Sequence, residues 1–384
     1  MSEHSGFKLK SEIDFNKITS PIPVISIAAS NASVQAKRVA NFVCDGTDDI
    51  VEIRLAIAAL PVNGGKVVLS EGTFNVKVGS GDWGWSLGNN IIFEGQGKSS
   101  ILNVDATSAG ALIVITGSNN SVKNIKFVNN ASTYQHCISL LGAKNCIIEG
   151  NYAQITSAGT FLIIHGDVTY LSQDNIITKN TVLGNISAAG GIICSSALSG
   201  RNIRNEISYN IVENMDSGIS IQDNNQNVIG NIIKNCVGTG ISISAAFYSN
   251  ILGNIITDCY RGIYANQSYT YGNVISGNEI GLSKREGIFI DDNNAFVISD
   301  NILKDNCQDA NDTYSELYMK GNKQIISNNN ILCTQSNKAK YGIELFNGDN
   351  SNIIGNVVRG AVTTQIILSG TIVGIIKEHN IELA

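Results

Sequence analysis

Proline is nearly absent from this chain, three among 384 residues, and charged side chains make up only 15% against 43% hydrophobic. So little charge excludes a disordered chain, and the apolar share is ample for one long core. No stretch approaches about eighteen uninterrupted apolar residues, which excludes a membrane-spanning helix. The opening Met1-Ser-Glu-His-Ser-Gly-Phe-Lys-Leu-Lys10 has no apolar segment of the kind a secretory signal needs. Basic runs are missing too: 26 Lys plus Arg are scattered against 32 Asp plus Glu, for a net charge of −6. A phosphate backbone needs a positive footprint, so nucleic acid is excluded as a partner. The eight cysteines, at 44, 137, 146, 194, 236, 259, 307 and 333, contain no C-x-x-C pair and do not read as a zinc site. Cys236 and Cys259 each follow an equivalent repeat asparagine by five residues. Stacked one coil apart they come within disulfide reach, but buried free thiols filling a core column are the expected state.

Glycine is abundant, with 38 residues, and asparagine recurs between short Ile/Val runs, the mark of many tight turns joining short strands. Asn175-Ile-Ile-Thr-Lys-Asn180, Asn227-Val-Ile-Gly-Asn231, Asn250-Ile-Leu-Gly-Asn254, Asn273-Val-Ile-Ser-Gly-Asn278 and Asn352-Ile-Ile-Gly-Asn356 are copies of one motif. A second element follows each copy: Gly191-Ile-Ile-Cys, Gly218-Ile-Ser-Ile, Gly240-Ile-Ser-Ile, Gly262-Ile-Tyr-Ala, Gly287-Ile-Phe-Ile and Gly342-Ile-Glu-Leu. The period is roughly 22 to 29 residues, room for two or three short strands. Such a repeat cannot bury its own apolar face and must stack on the next, so each strand runs parallel to its counterpart. The predicted fold is all-β, a right-handed parallel β-helix of about ten coils. The asparagine that ends each motif is expected in a left-handed turn, its amide bonding the identical amide one coil on.

The N-terminal region departs from the pattern. Asp45-Gly46-Thr47-Asp48-Asp49 offers N-capping oxygens, and Ile50, Ile53, Leu55, Ile57 and Leu60 give an apolar helical face before Pro61. This helix is expected to cover the open first coil. Residues 1–40 then read as an arm and first-coil segment, 41–76 as the capping helix with the first strands, and 77–384 as the β-helix.

The block Cys44-Asp-Gly-Thr-Asp-Asp49, the helix after it, Asn63-Gly-Gly-Lys-Val67 and Gly72-Thr-Phe74 resemble the opening module of the pectate-lyase-like superfamily. The later coils are similar to carbohydrate-binding and sugar-hydrolase repeats, including the NosD type. Together the resemblances cover residues 40 to 380. They imply a β-helix with a sugar-facing outer surface, as in polysaccharide lyases, alginate epimerases, glycosidases and phage tail spikes. The acidic sets of polygalacturonases and the D-P-H-E stretch of alginate epimerases are not matched, so no reaction is implied.

Alternation along each Gly-Ile strand predicts an outward column Ile163, Ile193, Ser220, Ser242, Tyr264, Phe289, Tyr318, Glu344 and Ile367. A second outward column reads His165, Ser195, Gln222, Ser244, Asn266, Asp291, Lys320 and Phe346, and Arg261, Arg285 and Glu286 stand just before the strands. Tyr264, Phe289, Tyr318, Arg261, Glu286 and Asn266 are the candidate substrate-binding residues, because sugar rings stack on aromatic faces while charged groups bond their hydroxyls. The same aromatics would equally suit burial between subunits of a homotrimer. Asp291 and Glu344 are candidates for a hydrolytic carboxylate pair and Lys320 for the base of a lyase. Against those roles stand surface ion pairs, Arg261 with Glu286 and Asp291 with Lys320. Asp223 is expected to bond turn backbone, and His165 with Asp167 is a weaker acid–base candidate. Asp291-Asp292 offers two carboxylates where Ca2+ takes about six to eight oxygens, so no metal is expected.

The function expected is a carbohydrate-binding or polysaccharide-processing β-helix of tail-spike type, acting on a surface glycan from a virion or extracellular position. The alternatives are a stand-alone secreted lyase, epimerase or glycosidase, and a non-enzymatic rod.

Overall fold

The computed structural model describes residues 22–383 apart from 79–82, 107–108, 131–134, 157, 167–170, 186–187, 197–201, 267–269 and 292–294. Over these residues the chain winds as a right-handed parallel β-helix of about eleven turns. One face is a 12-stranded sheet to which each coil contributes one strand, from Trp85–Leu87 through Arg261–Ala265 and Ile288–Ile290 to Thr364–Ser369. Of the remaining strands, 26 join through a corner into one array, and Ser172–Gln173 pairs with Asn202–Ile203 as a separate two-stranded sheet. In its three-residue strands the middle side chain faces in, so Val228, Ile251, Ile275 and Ile298 are fully buried one above the other. No helix among the described residues is long and apolar enough to cross a membrane.

The corner of that array is held by an amide ladder. Asn151, Asn180, Asn210, Asn231, Asn254, Asn278, Asn301, Asn329, Asn356 and Asn380 lie on successive coils, each Nδ2 donating to the next Oδ1 at 2.9 to 3.0 Å. Each Oδ1 also accepts the backbone N–H of the preceding ladder residue, as at Asn231 and Asn254. The left-handed conformation falls one residue earlier than expected, at Lys179, Tyr209, Gly230, Gly253, Gly277 and Asp300. That residue turns the chain, which frees the asparagine to point its amide inward.

The repeated glycine of the 12-stranded sheet has a different cause. A Cβ at Gly240 would stand 2.5 Å from Ile256 Cγ2 and 2.7 Å from the Gly262 carbonyl oxygen, so the column is glycine because backbone and core crowd it. Between Gly191 and Gly342 one coil breaks the rule: Glu316 occupies this column, pairing between Gly287 and Gly342 in the register, and is fully buried.

At the N-terminal end Ile50–Ala58 is helical and sends Ile50, Ile53 and Ala56 into the core, while Leu55 turns to solvent. A short helix, Val34–Val39, precedes it. The expected side-chain N-cap is not made: Asp49 instead accepts the N–H groups of Gly46 and Asn75 at 2.8 and 2.7 Å, tying the helix start to the first coils. Residues 1–21 of the predicted arm lie outside the described residues. All eight cysteines are buried and free, and the Cys236 and Cys259 thiols donate to the Lys234 and Thr257 carbonyls of their own coils.

The last described coil carries charge where earlier coils carry core. Lys377 pairs in register with Ile353 and Glu382 with Val358, and the two meet in a 2.7 Å ion pair across the end of the stack. Inward-pointing charge of this kind blunts an open sheet edge. Lys377→Ile with Glu382→Val should therefore make the chain associate through Ile376–Glu378 and Ile381–Leu383. Light scattering after size exclusion should read larger species than for the parent chain.

Candidate functional site

The register of the 12-stranded sheet aligns side chains into three outward columns. The middle one is continuous from Ser86 and Val114 through Ser139, Ile163, Ile193, Ser220 and Ser242 to Tyr264, Phe289, Tyr318, Glu344 and Ile367. On one side run Thr239, Arg261, Glu286, Ser315 and Tyr341. On the other lie Gln222, Ser244, Asn266, Asp291, Lys320 and Phe346. The columns expected from alternation are therefore present with their residues in place.

Between Tyr260 and Phe346 this face is dense. Tyr264 stacks on Phe289 with centroids 5.5 Å apart, and Phe289 on Tyr318 at 4.8 Å with planes 13° apart. The three rings are half-buried and turn their faces on one another, so they offer solvent mainly edges. A sugar stacked flat on each ring is not what this geometry provides. The Arg261 guanidinium lies 4.5 Å from the Phe289 centroid and 5.1 Å from that of Tyr264, and its Nε donates to Glu286 at 2.6 Å. Glu286 is buried and Arg261 nearly so, which fixes the pair more firmly than an exposed one. Arg285 packs over Tyr260 and Tyr314, at 4.8 and 4.9 Å.

Asp291 and Lys320 form the expected ion pair, 3.1 Å apart on adjacent coils. Glu344 accepts the Ser315 hydroxyl at 2.6 Å. The register sets Asp291 and Glu344 two coils apart and in different columns, about 12 Å between Cα atoms from coil rise and strand spacing. Each carboxylate is thus engaged with a separate neighbour, Asp291 with Lys320 and Glu344 with Ser315. Asn266 is exposed at the end of its strand. Asp223 is buried and accepts the Asn202 N–H at 3.2 Å, the backbone role expected of it. Asp167 and Asp292 lie outside the described residues.

Three residues were not singled out from the sequence. Glu316 is hidden by sitting where other coils carry glycine. Its oxygens accept the N–H and Nδ2 of Asn306 at 2.9 and 2.7 Å, and the Cys333 sulfur is 3.6 Å away. Burial pushes its carboxyl up to about 7, against the pull of Asn306. His136 shares a column with Arg261, a position legible only by aligning a strand that lacks the Gly-Ile signature. Trp83 stands beside the first strand of the sheet and is 46% exposed.

A family model described as periplasmic copper-binding protein (NosD) matches residues 118–318, just over half of the chain. No curated protein matches the sequence. Among solved structures, the Azotobacter vinelandii mannuronan C-5 epimerase AlgE6 A-module is similar at 17% identity, over 87% of this chain and 96% of that one, with TM-score 0.67. PfbA, a surface adhesin of Streptococcus pneumoniae, is similar at 14% identity over 86% of this chain and 88% of its own, with TM-score 0.54. The Dettilon tailspike protein is similar at 16% identity over 86% and 66%, with TM-score 0.53. An epimerase, an adhesin and a tailspike share this fold, so the likeness speaks for architecture alone.

Copper favours thiolate, thioether and imidazole donors. The cysteines are core residues, and burial pushes the Cys137 thiol up to about 12 and those of Cys194 and Cys307 higher still. Met215 and Met319 are fully buried. Among the described residues Cys44, Asp49 and Glu52 are the one group of three His, Cys, Asp or Glu side chains with donor atoms within 4.8 Å, and only one of the three is a thiol. They lie outside the matched segment, and Asp49 is already taken by two backbone N–H groups. This donor set does not fit a copper centre.

Proposed function

The chain belongs to the NosD family, and from that premise we propose that it binds a polysaccharide along the outer face of its 12-stranded sheet. The observation that carries this reading is the alignment of three outward columns into one stripe, Arg261 to Glu344, where aromatic edges alternate with charged and amide groups. Tyrosine hydroxyls, Asn266, Lys320 and the rim carboxylates supply hydrogen bonds at intervals of one coil, suited to a chain with repeated hydroxyls. Binding is put ahead of bond cleavage because Asp291 and Glu344 are each engaged by a neighbour, Lys320 and Ser315, that a reacting carboxylate would have to give up.

Glycan arrays followed by calorimetry test this. Lys320→Ala should weaken binding about tenfold, the value of one hydrogen bond to a charged group. A chain that binds no glycan would sink the proposal. Release of new sugar ends that stops in Asp291→Asn or Glu344→Gln would replace binding with catalysis.

A further inference from the structure

The three columns extend to the other end of the sheet, and there they form a second group of side chains. His136 stands in the column that later carries Arg261, and His165 in the column that later carries Asn266, Asp291 and Lys320. Ser139 and Ile163 continue the middle column between them. The two imidazoles thus flank a cleft of about 240 Å3, with Trp83 and Leu141 on its rim. Trp83 and Leu141 also line an adjoining cleft of about 530 Å3. The capping helix positions the tryptophan: Arg54 donates from Nη2 to the Trp83 carbonyl and from Nε to that of Gly84, both at 2.7 Å.

The chemistry of this cleft differs from that of the charged stripe. Burial, with the charge of His165, holds the His136 imidazole down at about 4, so at neutral pH the ring carries one N–H donor and one acceptor nitrogen. An uncharged imidazole offers a carboxylate no opposite charge to pair with, so the cleft favours a neutral, hydroxylated ligand. The Arg54 guanidinium binds backbone carbonyls. An exposed indole beside these groups supplies an apolar platform for a ring. Between cleft and stripe the outward residues are small or uncharged, Ser195, Ser220, Gln222, Ser242 and Ser244, and form a floor. Four coils separate Ile163 from Tyr264, about 19 Å by the coil rise.

We propose that the cleft between His136 and His165 is a second sugar subsite, that it takes an uncharged sugar ring against Trp83, and that one oligosaccharide lying along the solenoid axis reaches from it to the Tyr264–Tyr318 stripe. The inference rests on the glycan-binding reading above and narrows it to a neutral sugar at this end.

Titration of the full chain with neutral malto-, cello- and xylo-oligosaccharides and with oligouronates, each of graded length, tests it. Affinity should rise steeply once a neutral oligosaccharide is long enough to span about 19 Å, because the second contact becomes intramolecular. Trp83→Ala and His136→Ala should each remove about tenfold of the affinity for long ligands. Short ligands held by the stripe alone should be unaffected, and Trp83→Phe should restore most of the loss. Variants that bind long ligands like the parent chain, while Lys320→Ala weakens them, would overturn the subsite and leave the stripe. Preference for oligouronates would overturn the neutral sugar. Failure of every glycan to bind the parent chain would overturn both readings.

Discussion

Asn254→Leu should lower the stability of the chain by about 3 to 6 kcal/mol, although leucine has nearly the shape of asparagine. Asn254 Oδ1 accepts both the N–H and the Nδ2 of Asn231, at 2.9 and 3.0 Å, and its Nδ2 donates to Asn278 Oδ1 and the Val228 carbonyl, each at 2.9 Å. Leucine removes all four bonds and leaves the Asn231 N–H buried with no acceptor in its place. An orphaned buried group costs about 1 to 3 kcal/mol, and in a ladder the losses fall on both neighbouring coils. Asn227→Ala is the control, since Asn227 is half-buried on the preceding coil and its Oδ1 accepts from Asn250 Nδ2 at 2.9 Å; it should cost less than about 1 kcal/mol. Urea unfolding gives the difference, and hydrogen exchange should show the Asn231 amide losing protection first. Equal midpoints for Asn254→Leu and the control would mean that the ladder is incidental.

Raising the pH from about 4.5 to about 8 should remove about 3 kcal/mol of stability through Glu316 alone. Burial raises its carboxyl from 4.5 to about 7, so the folded chain binds this proton more tightly than the unfolded one. The contribution is complete below the ordinary glutamate value and is lost as pH climbs through about 7. Asp49 is also raised by burial and acts in the same direction, so the isolating comparison is Glu316→Gln. That variant should lose most of the slope between these pH values. At pH 8 it should exceed the parent by about 1 to 2 kcal/mol, since a neutral amide escapes desolvation but turns one donor toward Asn306. A parent chain whose unfolding midpoint does not fall over this range would show Glu316 to be ionised throughout.

Much of the fold was legible because solenoid repeats write their period directly into the chain. A side chain that meets its own counterpart one coil on is under the same constraint there, so Asn-Ile and Gly-Ile recur and can be aligned by eye. The outward columns followed from the same alignment, and with them the pairs Arg261–Glu286 and Asp291–Lys320. Where a coil breaks the repeat, the sequence was mute. Glu316 replaces a glycine, and His136 sits in a strand without the signature, so neither could be placed until its register was seen.

By itself, then, the sequence determined the parallel stack, the inward apolar faces, the amide ladder and the identity of the outward residues between Tyr264 and Glu344. Those depend on alternation and period, which are local properties of a strand. Tertiary structure alone decided that the Tyr264, Phe289 and Tyr318 rings turn their faces on one another, that Asp49 binds the backbone of Gly46 and Asn75 in place of capping its helix, and that Asp291 and Glu344 are held by different partners. It also decided that two histidines five strand positions apart flank one cleft. Each of these depends on how neighbouring coils compete for the same donors and the same space, and that competition is set across coils, not along the chain.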